Sequence, residues 1–321
     1  MKNYILRKIR GKSHIFLDKR GNPIKNKKYI EKCLEGVYIA PAYDNVRINL
    51  NKKAKVLAIG YDDKNRPQYI YNKKFVEKMK KQKFYNLYLF GIQYNKILND
   101  INRNIKLPED NKLKHICMIL KLIMDCDFRV GNDEYMKQNN SYGVTTLKNK
   151  HVLVDKDKIT IDFIGKKSVR NVCSVKNKTI KRHLKKKKKT LKNNARIFKC
   201  NGVNVNSNDV NTYIKQFGDF SSKDFRTWSA NIKLIKYLIG SNKETVDKDI
   251  KDCIKQVADK LHHTPEVCKK NYIFFHSFLE KFSIFNKLAY FSNTFILFSY
   301  RPIFFIALNF ADLDGGFNFN S

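Results

Sequence analysis

The sequence predicts an α+β protein in which a small β-rich N-terminal domain precedes a mainly α-helical domain that contains a three-stranded antiparallel sheet. Three observations predict this class. Short apolar segments alternate with turn residues before residue 72, apolar residues recur at helical spacing from Leu113, and two adjacent strand patterns are followed by a third from Val169. A length of 321 residues and a hydrophobic content of 42% are sufficient for two compact domains with apolar cores.

The region from about residue 12 to residue 71 contains short strand-like segments separated by polar breaks. The segments are HIFLD (14–18), VRINL (46–50), KVLAIGYD (55–62) and QYIYN (68–72), and a Gly-Asn-Pro turn follows the first of them. The charged segment 73–84 is interpreted as a helix or linker. We therefore expect an N-terminal domain at residues 1–77, a second domain at 78–275 and an atypical hydrophobic tail at 276–321.

The second domain is predicted to contain an amphipathic helix followed by the small sheet. The apolar side chains Leu113, Ile116, Cys117, Leu120 and Met124 lie at helical spacing and predict a helix that ends close to Arg129. HVLV (151–154) and ITIDFIG (159–165) flank a polar segment, which predicts a β-hairpin. Lys166 is then expected on a tight turn before the third strand, and the chain beyond that strand is predicted to be mainly helical as far as Tyr272.

The charge of the chain predicts a polyanionic partner. It has 65 Lys and Arg against 29 Asp and Glu, a formal net charge of +36, and nucleic acid is the partner that this excess favours. Codon usage in an AT-rich genome accounts for many of the lysines but not for the excess. The five consecutive lysines at 185–189 fit either a solvated basic loop or a phosphate contact, and in both cases they attract DNA without regard to its sequence.

The cysteines do not predict a disulfide framework or a zinc site. There are seven of them, an odd number, and no two form a Cys-x-x-Cys pair, which is typical of a reducing intracellular compartment. The charged first residues, MKNYILRKIRGK, do not predict an export signal.

Two arginines and one tyrosine are candidates for chemistry. Only 12 of the 65 basic residues are arginines, and two of these occur in matching settings, CDFRV at Arg129 and KDFRT at Arg226. A guanidinium can grip phosphate with two parallel hydrogen bonds, which an ammonium cannot do. His263 precedes Tyr272 by nine residues in the segment HHTPEVCKKNY. Taken alone, each arginine is more often a surface residue and each tyrosine more often packs in a core.

Six stretches together resemble the poxvirus-type branch of the type IB DNA topoisomerases, in order and from about residue 38 to residue 273. They are RPQYIY (66–71), RVGNDEY (129–135), SYGVTTLKNKHV (141–152), IGKKSV (164–169), KDFRTW (223–228) and HTPEVCKKNY (263–272). The resemblance implies a nucleophile at Tyr272, with Arg129, Lys166, Arg226 and His263 around the scissile phosphate. It also implies DNA contacts at Arg66, Gln68, Tyr69, Tyr71, Asn132 and Tyr135.

The family's activity is the relaxation of supercoils through a transient 3′-phosphotyrosyl bond, without ATP, a metal ion or another cofactor. The resemblance therefore implies that the chain binds double-stranded DNA, works on it as a monomer and acts inside the cell on DNA, in the cytoplasm or nucleoid, or in a virion if the source is viral. The small β-rich domain is expected to hold the opposite side of the duplex. For Tyr69 and Tyr71, packing within the small sheet is an equally good interpretation.

Two other functions fit parts of the pattern. Tyrosine recombinases use the same set of Arg, Lys, Arg, His and Tyr, but they typically carry a histidine three residues before the second arginine, where this chain has Lys223. That difference favours a topoisomerase. The charge alone also fits a basic DNA-binding or packaging protein without enzymatic activity.

The resemblance stops after Ile273, where the sequence becomes strongly apolar. Three interpretations remain: a terminal helix packed on the second domain, a translated frameshift, or a membrane anchor. An anchor is not favoured, because a bilayer span needs about 20 predominantly apolar residues and Arg301 interrupts this one.

Overall fold

The structure is a computed structural model, and it describes residues 1, 3–11, 13–239 and 246–273. It confirms the predicted α+β class. The chain forms two compact units that divide between Lys83 and Phe84. The boundary expected after residue 77 and this division both fall within one long helix, α2 (Lys73–Asn104).

The first unit is built on an antiparallel sheet with the order β2-β1-β3-β4-β5. Its strands are β1 (Tyr4–Arg10), β2 (Ser13–Leu17), β3 (Asp44–Asn49), β4 (Val56–Tyr61) and β5 (Pro67–Tyr71), and its helix α1 is Lys27–Leu34. The sequence patterns located β2 to β5 but not β1 or α1. Helix α1 gave little apolar periodicity because Cys33 is its one buried residue.

The core of this unit lies on one face of the sheet. Alternate residues of the strands point inward, so Val46 and Ile48 on β3 are fully buried while their neighbours are not. On β5 only Ile70 packs against the core, and the tyrosines on either side of it are exposed.

The second unit contains a short sheet among helices. The helices that follow α2 are α3 (Lys112–Cys126), α4 (Asp133–Asn139), α5 (Lys178–Thr190), α6 (Ser207–Lys215), α7 (Ser222–Ile239), α8 (Val246–Lys260) and α9 (Pro265–Asn271). The strands are β6 (Val152–Asp155), β7 (Lys158–Ile164), β8 (Arg170–Ser174) and the short pair β9 (Lys199–Cys200) and β10 (Val203–Asn204).

The predicted three-stranded antiparallel sheet is confirmed, with the order β6-β7-β8. Asp155 pairs with Lys158, so the hairpin turn consists of two residues, and Lys156 adopts a left-handed conformation there. Lys166 opens the short turn between β7 and β8, as the sequence predicted. The turn therefore projects from one end of the sheet.

Helix α3 is the central element of the second unit. Most of its length is buried, including Cys117, Met118, Ile119 and Leu120 at 0% exposure, because α6, α7 and the 3₁₀ turn at 144–146 pack around it. Asp127 adopts a left-handed conformation and ends the helix. The chain therefore leaves a rigid, buried helix just before Arg129, as predicted.

The cysteine pattern did not predict a disulfide framework, but the structure joins one pair of cysteines. Cys126, the last residue of α3, is joined to Cys173 on β8, with Cα atoms 5.7 Å apart. The two lie 47 residues apart in the sequence, so their spacing carried no signal, and only the packing of the helix end on the sheet brings them into reach. The other cysteines, Cys33, Cys117, Cys200, Cys253 and Cys268, are buried.

The predicted hydrophobic tail lies outside the described residues, together with the alternatives for it. Within the residues that are described, no helix has both the length and the apolar character that a membrane crossing requires.

An aromatic cluster joins α2 to α7 in the second unit. The ring of Phe90 is fully buried and lies 4.9 Å from the ring of Phe225 and 5.3 Å from that of Phe220, both in edge-to-face geometry. Beside it, Gly91 allows Trp228 to pack directly on the helix backbone, since a Cβ at this glycine would lie 2.5 Å from Cη2 of Trp228. The cluster fixes the start of α7, which carries Arg226.

We predict that Phe90→Ala lowers the free energy of unfolding by about 3–5 kcal/mol, because it leaves a cavity at the centre of this cluster. Trp228 is the only tryptophan of the chain, so its fluorescence during urea denaturation reports on this region. The matched control is Ile92→Ala in the same helix, where the side chain is 45% exposed and the expected loss is below about 1 kcal/mol. An equal loss of unfolding free energy in the two variants would contradict the placement of Phe90 at the centre of the aromatic cluster.

Candidate active site

Four of the five residues that the resemblance implicates lie together in the second unit. The Nη2 atoms of Arg129 and Arg226 are 3.1 Å and 3.2 Å from Nε2 of His263. The His263 ring is 4.7 Å from the ring of Tyr272, and Cζ of Arg226 is 5.8 Å from the same tyrosine ring. Arg129, Arg226 and His263, which come from separate segments of the chain, are called here the arginine-histidine cluster. The ring of Tyr272 lies beside this cluster.

The two arginines are positioned by the phenylalanines that precede them. Phe128 and Phe225 are buried, at 0% and 2% exposure, and belong to the same apolar core. Each anchors its segment in that core, so the next residue, Arg129 or Arg226, is held at the core's edge. The repeated Asp-Phe-Arg pattern therefore has a structural cause in addition to a chemical one.

The aspartates of the two Asp-Phe-Arg segments stabilise different local structures. Asp127, which ends α3, forms an ion pair with Lys233 on α7. Asp224 lies in the first turn of α7 and accepts hydrogen bonds from the backbone N and the Oγ of Ser221, at 2.7 Å and 2.9 Å. One aspartate thus ties α3 to α7, and the other holds the beginning of α7.

His263 lies in the short connection between α8 and α9. Its backbone N donates to the carbonyl oxygen of Ala258 at 2.9 Å, and the preceding residue, His262, adopts a left-handed conformation. Arg226 donates to the carbonyl oxygen of Leu261 in the same connection at 2.9 Å. Helix α7 therefore holds the loop that carries His263.

Tyr272 lies at the C-terminal end of α9, and its backbone is held from α7. Thr264 caps the start of α9, where Pro265 occupies the first turn. The side-chain amide of Asn231 on α7 donates to the carbonyl oxygen of Tyr272 at 2.8 Å and to that of Thr227 at 2.7 Å. Sequence reasoning missed Asn231, and the only signal for it was a polar residue within a largely apolar helical segment.

The cluster is cationic and lacks carboxylates. In the described part of the chain, no acidic side chain forms an ion pair with Arg129 or Arg226. Burial lowers the pKa of Arg129, and the nearby charge of Arg226 lowers it further. Burial and the charges of both arginines lower the pKa of His263 to about 3. Among the described residues, no group of His, Cys, Asp and Glu side chains is arranged to hold a metal ion.

The hydrogen-bonding roles within the cluster follow from the chemistry of the groups. A guanidinium can only donate, so Nε2 of His263 is the acceptor for both arginines. The proton of this neutral imidazole is therefore assigned to Nδ1. A histidine that accepts from two cations occupies the place that an anion would fill more favourably.

Arg226 has further unused donors. Its side chain is only 3% exposed, and Nε and Nη1 are buried without a hydrogen-bond partner within the described residues. Buried donors of this kind cost free energy unless a ligand satisfies them. Together with the lack of carboxylate partners among the described residues, they make the cluster chemically suited to an anion.

Lys166 is not part of the cluster in this structure. It is exposed, and its Nζ lies 5.9 Å from the centre of the Tyr135 ring on α4. The next residue, Lys167, is close enough for its charge to contribute to the lowered pKa of His263. The turn between β7 and β8 therefore approaches the cluster, while the side chain of Lys166 lies over α4.

The backbone of this turn is fixed at its base and strained at its tip. Gly165 packs tightly on Asn171, since a Cβ at the glycine would lie 2.5 Å from Nδ2 of that residue. At the tip, Lys167 and Ser168 adopt left-handed conformations, with φ of 62° and 57°. Such conformations cost of order 1–3 kcal/mol each for residues other than glycine. The tip is therefore the part of the turn that can rearrange most easily.

The predicted DNA contacts of the first unit lie on and beside β5. Tyr69 and Tyr71 are 50% and 45% exposed, and their rings stack at 6.1 Å. The side chains of Arg66 and Gln68 both bind Asp62. The structure thus leaves the two tyrosine rings accessible, and the DNA contacts of all four residues stay a prediction.

The predicted contacts of the second unit lie at the start of α4. Asn132 caps this helix, and its Oδ1 accepts from the backbone N of Glu134 at 2.8 Å and of Tyr135 at 3.2 Å. Tyr135 is 56% exposed. The helix cap is a structural role for Asn132 that the sequence pattern did not indicate.

We predict that Arg129→Ala raises the pKa of His263 from about 3 toward the ordinary histidine range, because it removes one of the two neighbouring cations. NMR titration of ¹⁵N-labelled histidine measures this directly. The matched control is Arg170→Ala, since Arg170 pairs with Asp162 on the hairpin, and it should leave the His263 titration unchanged.

The same pKa predicts how stability depends on pH. The unfolded chain takes up a proton at His263 near pH 6.5, whereas the folded chain does so only near pH 3, so this residue makes the free energy of unfolding fall as the pH drops between those values. A titration of His263 near pH 6.5 in the folded wild type would refute both statements.

Comparison with known proteins shows the family of this chain. The family described as "Eukaryotic DNA topoisomerase I, catalytic core" matches residues 72–290. The chain is 32% identical to "DNA topoisomerase 1B" of Acanthamoeba polyphaga mimivirus over 253 residues, which are 73% of this chain and 75% of that protein. It is 29% identical to "DNA topoisomerase I" of Monkeypox virus over 228 residues, 68% of this chain and 70% of the relative. With a catalytic-core match over most of its length and viral relatives of this kind, the chain belongs to the poxvirus-type branch of the type IB DNA topoisomerases.

Proposed function

We propose that this isomerase relaxes supercoiled DNA by cutting one strand with Tyr272 and then resealing it. The observation that supports this most directly is the arginine-histidine cluster beside the ring of Tyr272, which has unused guanidinium donors and no described carboxylate partner. Such a site fits a phosphodiester held next to a phenol.

In the cleavage step, the phenolic oxygen of Tyr272 gives up its proton to water and attacks the phosphorus atom. A bond from this oxygen to phosphorus forms while the bond from phosphorus to the 5′-oxygen breaks, which leaves a 3′-phosphotyrosyl bond and a free 5′-hydroxyl. Arg129 and Arg226 neutralise the charge that builds on the non-bridging oxygens. Once a phosphate oxygen accepts their hydrogen bonds in place of Nε2 of His263, transfer of the ring proton from Nδ1 to Nε2 lets the histidine donate a hydrogen bond to the phosphate.

Lys166 is the proposed general acid for the departing 5′-oxygen. An ammonium can give up its proton when it is desolvated near two arginines, whereas a guanidinium essentially cannot. Because Lys166 lies over Tyr135 and not in the cluster, this role requires the strained tip of the turn to rearrange when DNA is bound. The exposure of the turn and its approach to His263 support such a rearrangement.

Resealing is the same reaction in reverse and needs no external energy. One phosphodiester is exchanged for another, so the covalent bond to Tyr272 keeps the free energy of the broken linkage. The two arginines supply the charge stabilisation that a metal ion supplies in other phosphoryl-transfer sites, so we propose that neither ATP nor a metal is required. While the strand is open, the free end rotates and supercoils are lost.

We also propose which residues contact DNA and that the enzyme acts as a monomer. Exposed rings at Tyr69, Tyr71 and Tyr135 suit contacts with DNA, and such contacts position an enzyme on a duplex. Arg66, Gln68 and Asn132 would add polar contacts beside them. Since the cluster is assembled within the second unit of one chain, we propose that the enzyme acts on DNA as a monomer, inside the cell.

We predict that the protein, mixed with plasmid DNA in excess EDTA and then denatured, yields a covalent protein-DNA adduct, and that Tyr272→Phe yields none. The matched control is Tyr237→Phe, because Tyr237 packs in the same apolar cluster as Tyr272 and should retain adduct formation. An adduct that persists in Tyr272→Phe overturns the assignment of the nucleophile. Relaxation that disappears with EDTA overturns the metal-free mechanism, and strand exchange restricted to two paired sites would indicate a recombinase instead.

We predict that Lys166→Ala slows cleavage by about 10²–10⁴-fold, the usual contribution of a general acid. A substrate with a sulfur atom in place of the 5′-bridging oxygen should restore most of the rate, because a thiolate leaves without being protonated. The matched control is Lys167→Ala, the adjacent lysine on the same turn, which should show no such rescue. If sulfur substitution does not rescue Lys166→Ala, the lysine is not the acid.

A further inference from the structure

Helix α5 carries an unusual concentration of positive charge outside the active site. Eight of its thirteen residues are Lys or Arg and none is acidic. The run 185–189, which the sequence could place only on a loop or at a phosphate contact, lies in the second half of this helix. The charge is therefore presented on a regular scaffold.

One face of α5 is firmly attached to the second unit. Ile180 and Leu184 are fully buried, and so is His183 except for 2% of its surface. The Nδ1 atom of His183 is 2.8 Å from Oε2 of Glu109, and its ring stacks on Phe198 at 5.9 Å. The orientation of the helix is thus fixed by apolar and polar contacts on its inner side.

The outer face of α5 presents a row of four exposed cations. They are Lys178, Arg182, Lys186 and Lys189, and they are called here the α5 row. Their spacing of four, four and three residues places them on one side of a helix, over a length of about 16 Å at a rise of about 1.5 Å per residue. Like charges at this spacing repel each other and destabilise an isolated helix. The row therefore lowers the local stability of the helix.

Acidic residues in the described part of the chain do not neutralise the α5 row. Lys185 pairs with Asp157 on the β6-β7 turn at 2.9 Å, and Lys181 donates to the backbone oxygen of the same residue at 3.4 Å. Neither lysine belongs to the row, and no ion pair of the described residues involves its four members. The four cations of the row are therefore available to a negatively charged partner.

The α5 row is also distant from the arginine-histidine cluster. Helix α5 contacts the β6-β7 turn, while Lys166 lies beyond the other end of β7. A strand of seven residues, as β7 is, spans roughly 20 Å at about 3.3 Å per residue. A contact at the row would therefore add to binding without touching the reacting phosphate.

We propose that the α5 row binds the phosphate backbone of double-stranded DNA outside the cleavage site, without regard to base sequence. The inference rests on the family's action on DNA and extends the proposed function by a second contact surface. Duplex DNA carries one negative charge per about 1.7 Å of its axis, so a straight row of four cations about 16 Å long faces a dense and regular line of partners. Lysine suits this task, because a diffuse electrostatic contact needs charge and no fixed geometry.

The test is the salt dependence of duplex binding when the four cations are replaced by glutamine. The variant Lys178→Gln, Arg182→Gln, Lys186→Gln, Lys189→Gln is measured in a Tyr272→Phe background, so that binding is separated from cleavage. Each lost phosphate contact lowers the slope of log K against log salt concentration by about 0.9, so the slope should fall by about 3–4 and the affinity at 0.1 M salt by about tenfold or more. Glutamine preserves helix propensity, and circular dichroism checks that the fold is intact.

The matched control removes the same number of charges from scattered positions. Lys96, Lys106, Lys199 and Lys215 are exposed and lie on different parts of the second unit. Replacing these four by glutamine should change the slope by less than about 1. An equal effect of the two variants means that only net charge matters, and it overturns the proposal. A charge-preserving variant, with arginine at the three lysines of the row, should retain the wild-type slope.

Two further readouts separate this proposal from the proposed function and from another occupant. With Tyr272 present and protein at saturation, the row variant should cleave DNA within about twofold of the wild-type rate, because the row does not touch the reacting atoms. If wild type forms no adduct, the proposed function fails while the binding result stands. If the row variant loses binding to vesicles containing anionic lipid but keeps its DNA slope, the row serves a membrane surface and the proposal is wrong.

Discussion

The interaction on which this active site depends is the contact of Arg129 and Arg226 with a single nitrogen of His263. Two guanidinium groups repel each other, and burial removes the water that would screen them. In the described structure the histidine relieves this repulsion only as a neutral acceptor, and Arg226 keeps two buried nitrogens unpaired. The arrangement therefore suits an anion, and the proposed anion is the phosphodiester of DNA.

Packing in and around the apolar core holds this unfavourable arrangement in place. Phe128 and Phe225 fix the two arginines from the core side, and Asn231 holds the backbone of Tyr272 from the same helix that carries Arg226. The reactive groups are thus fixed relative to one another before DNA binds. Groups that folding has already oriented can stabilise the charge of a transition state without reorienting, whereas water molecules would have to reorient to do so.

The arginines and lysines with proposed roles lie in different environments in this protein. Arg226 is buried and Arg129 is half-buried, which suits the bidentate grip on one phosphate that we propose for them, and Lys166 lies on an exposed turn with a strained tip, which suits its proposed role as a proton donor. The α5 row lies apart from both, and its four members have no acidic partner among the described residues. The groups that we propose for phosphate binding, for proton transfer and for diffuse attraction to DNA thus lie in three different parts of the second unit.

The sequence by itself determined the fold class, the helix that ends before Arg129, the hairpin and the turn of Lys166, because each follows from local periodicity and turn chemistry. It also indicated the five candidate residues, through short motifs and their resemblance to a family. Only the tertiary structure decided that four of the five meet and that Lys166 lies apart, over Tyr135. Only the tertiary structure likewise joined Cys126 to Cys173 and placed Asn231 behind Tyr272. The physical reason is that these contacts link residues tens of positions apart in the chain, and their distances are set by how helices pack on the core, which no local pattern records.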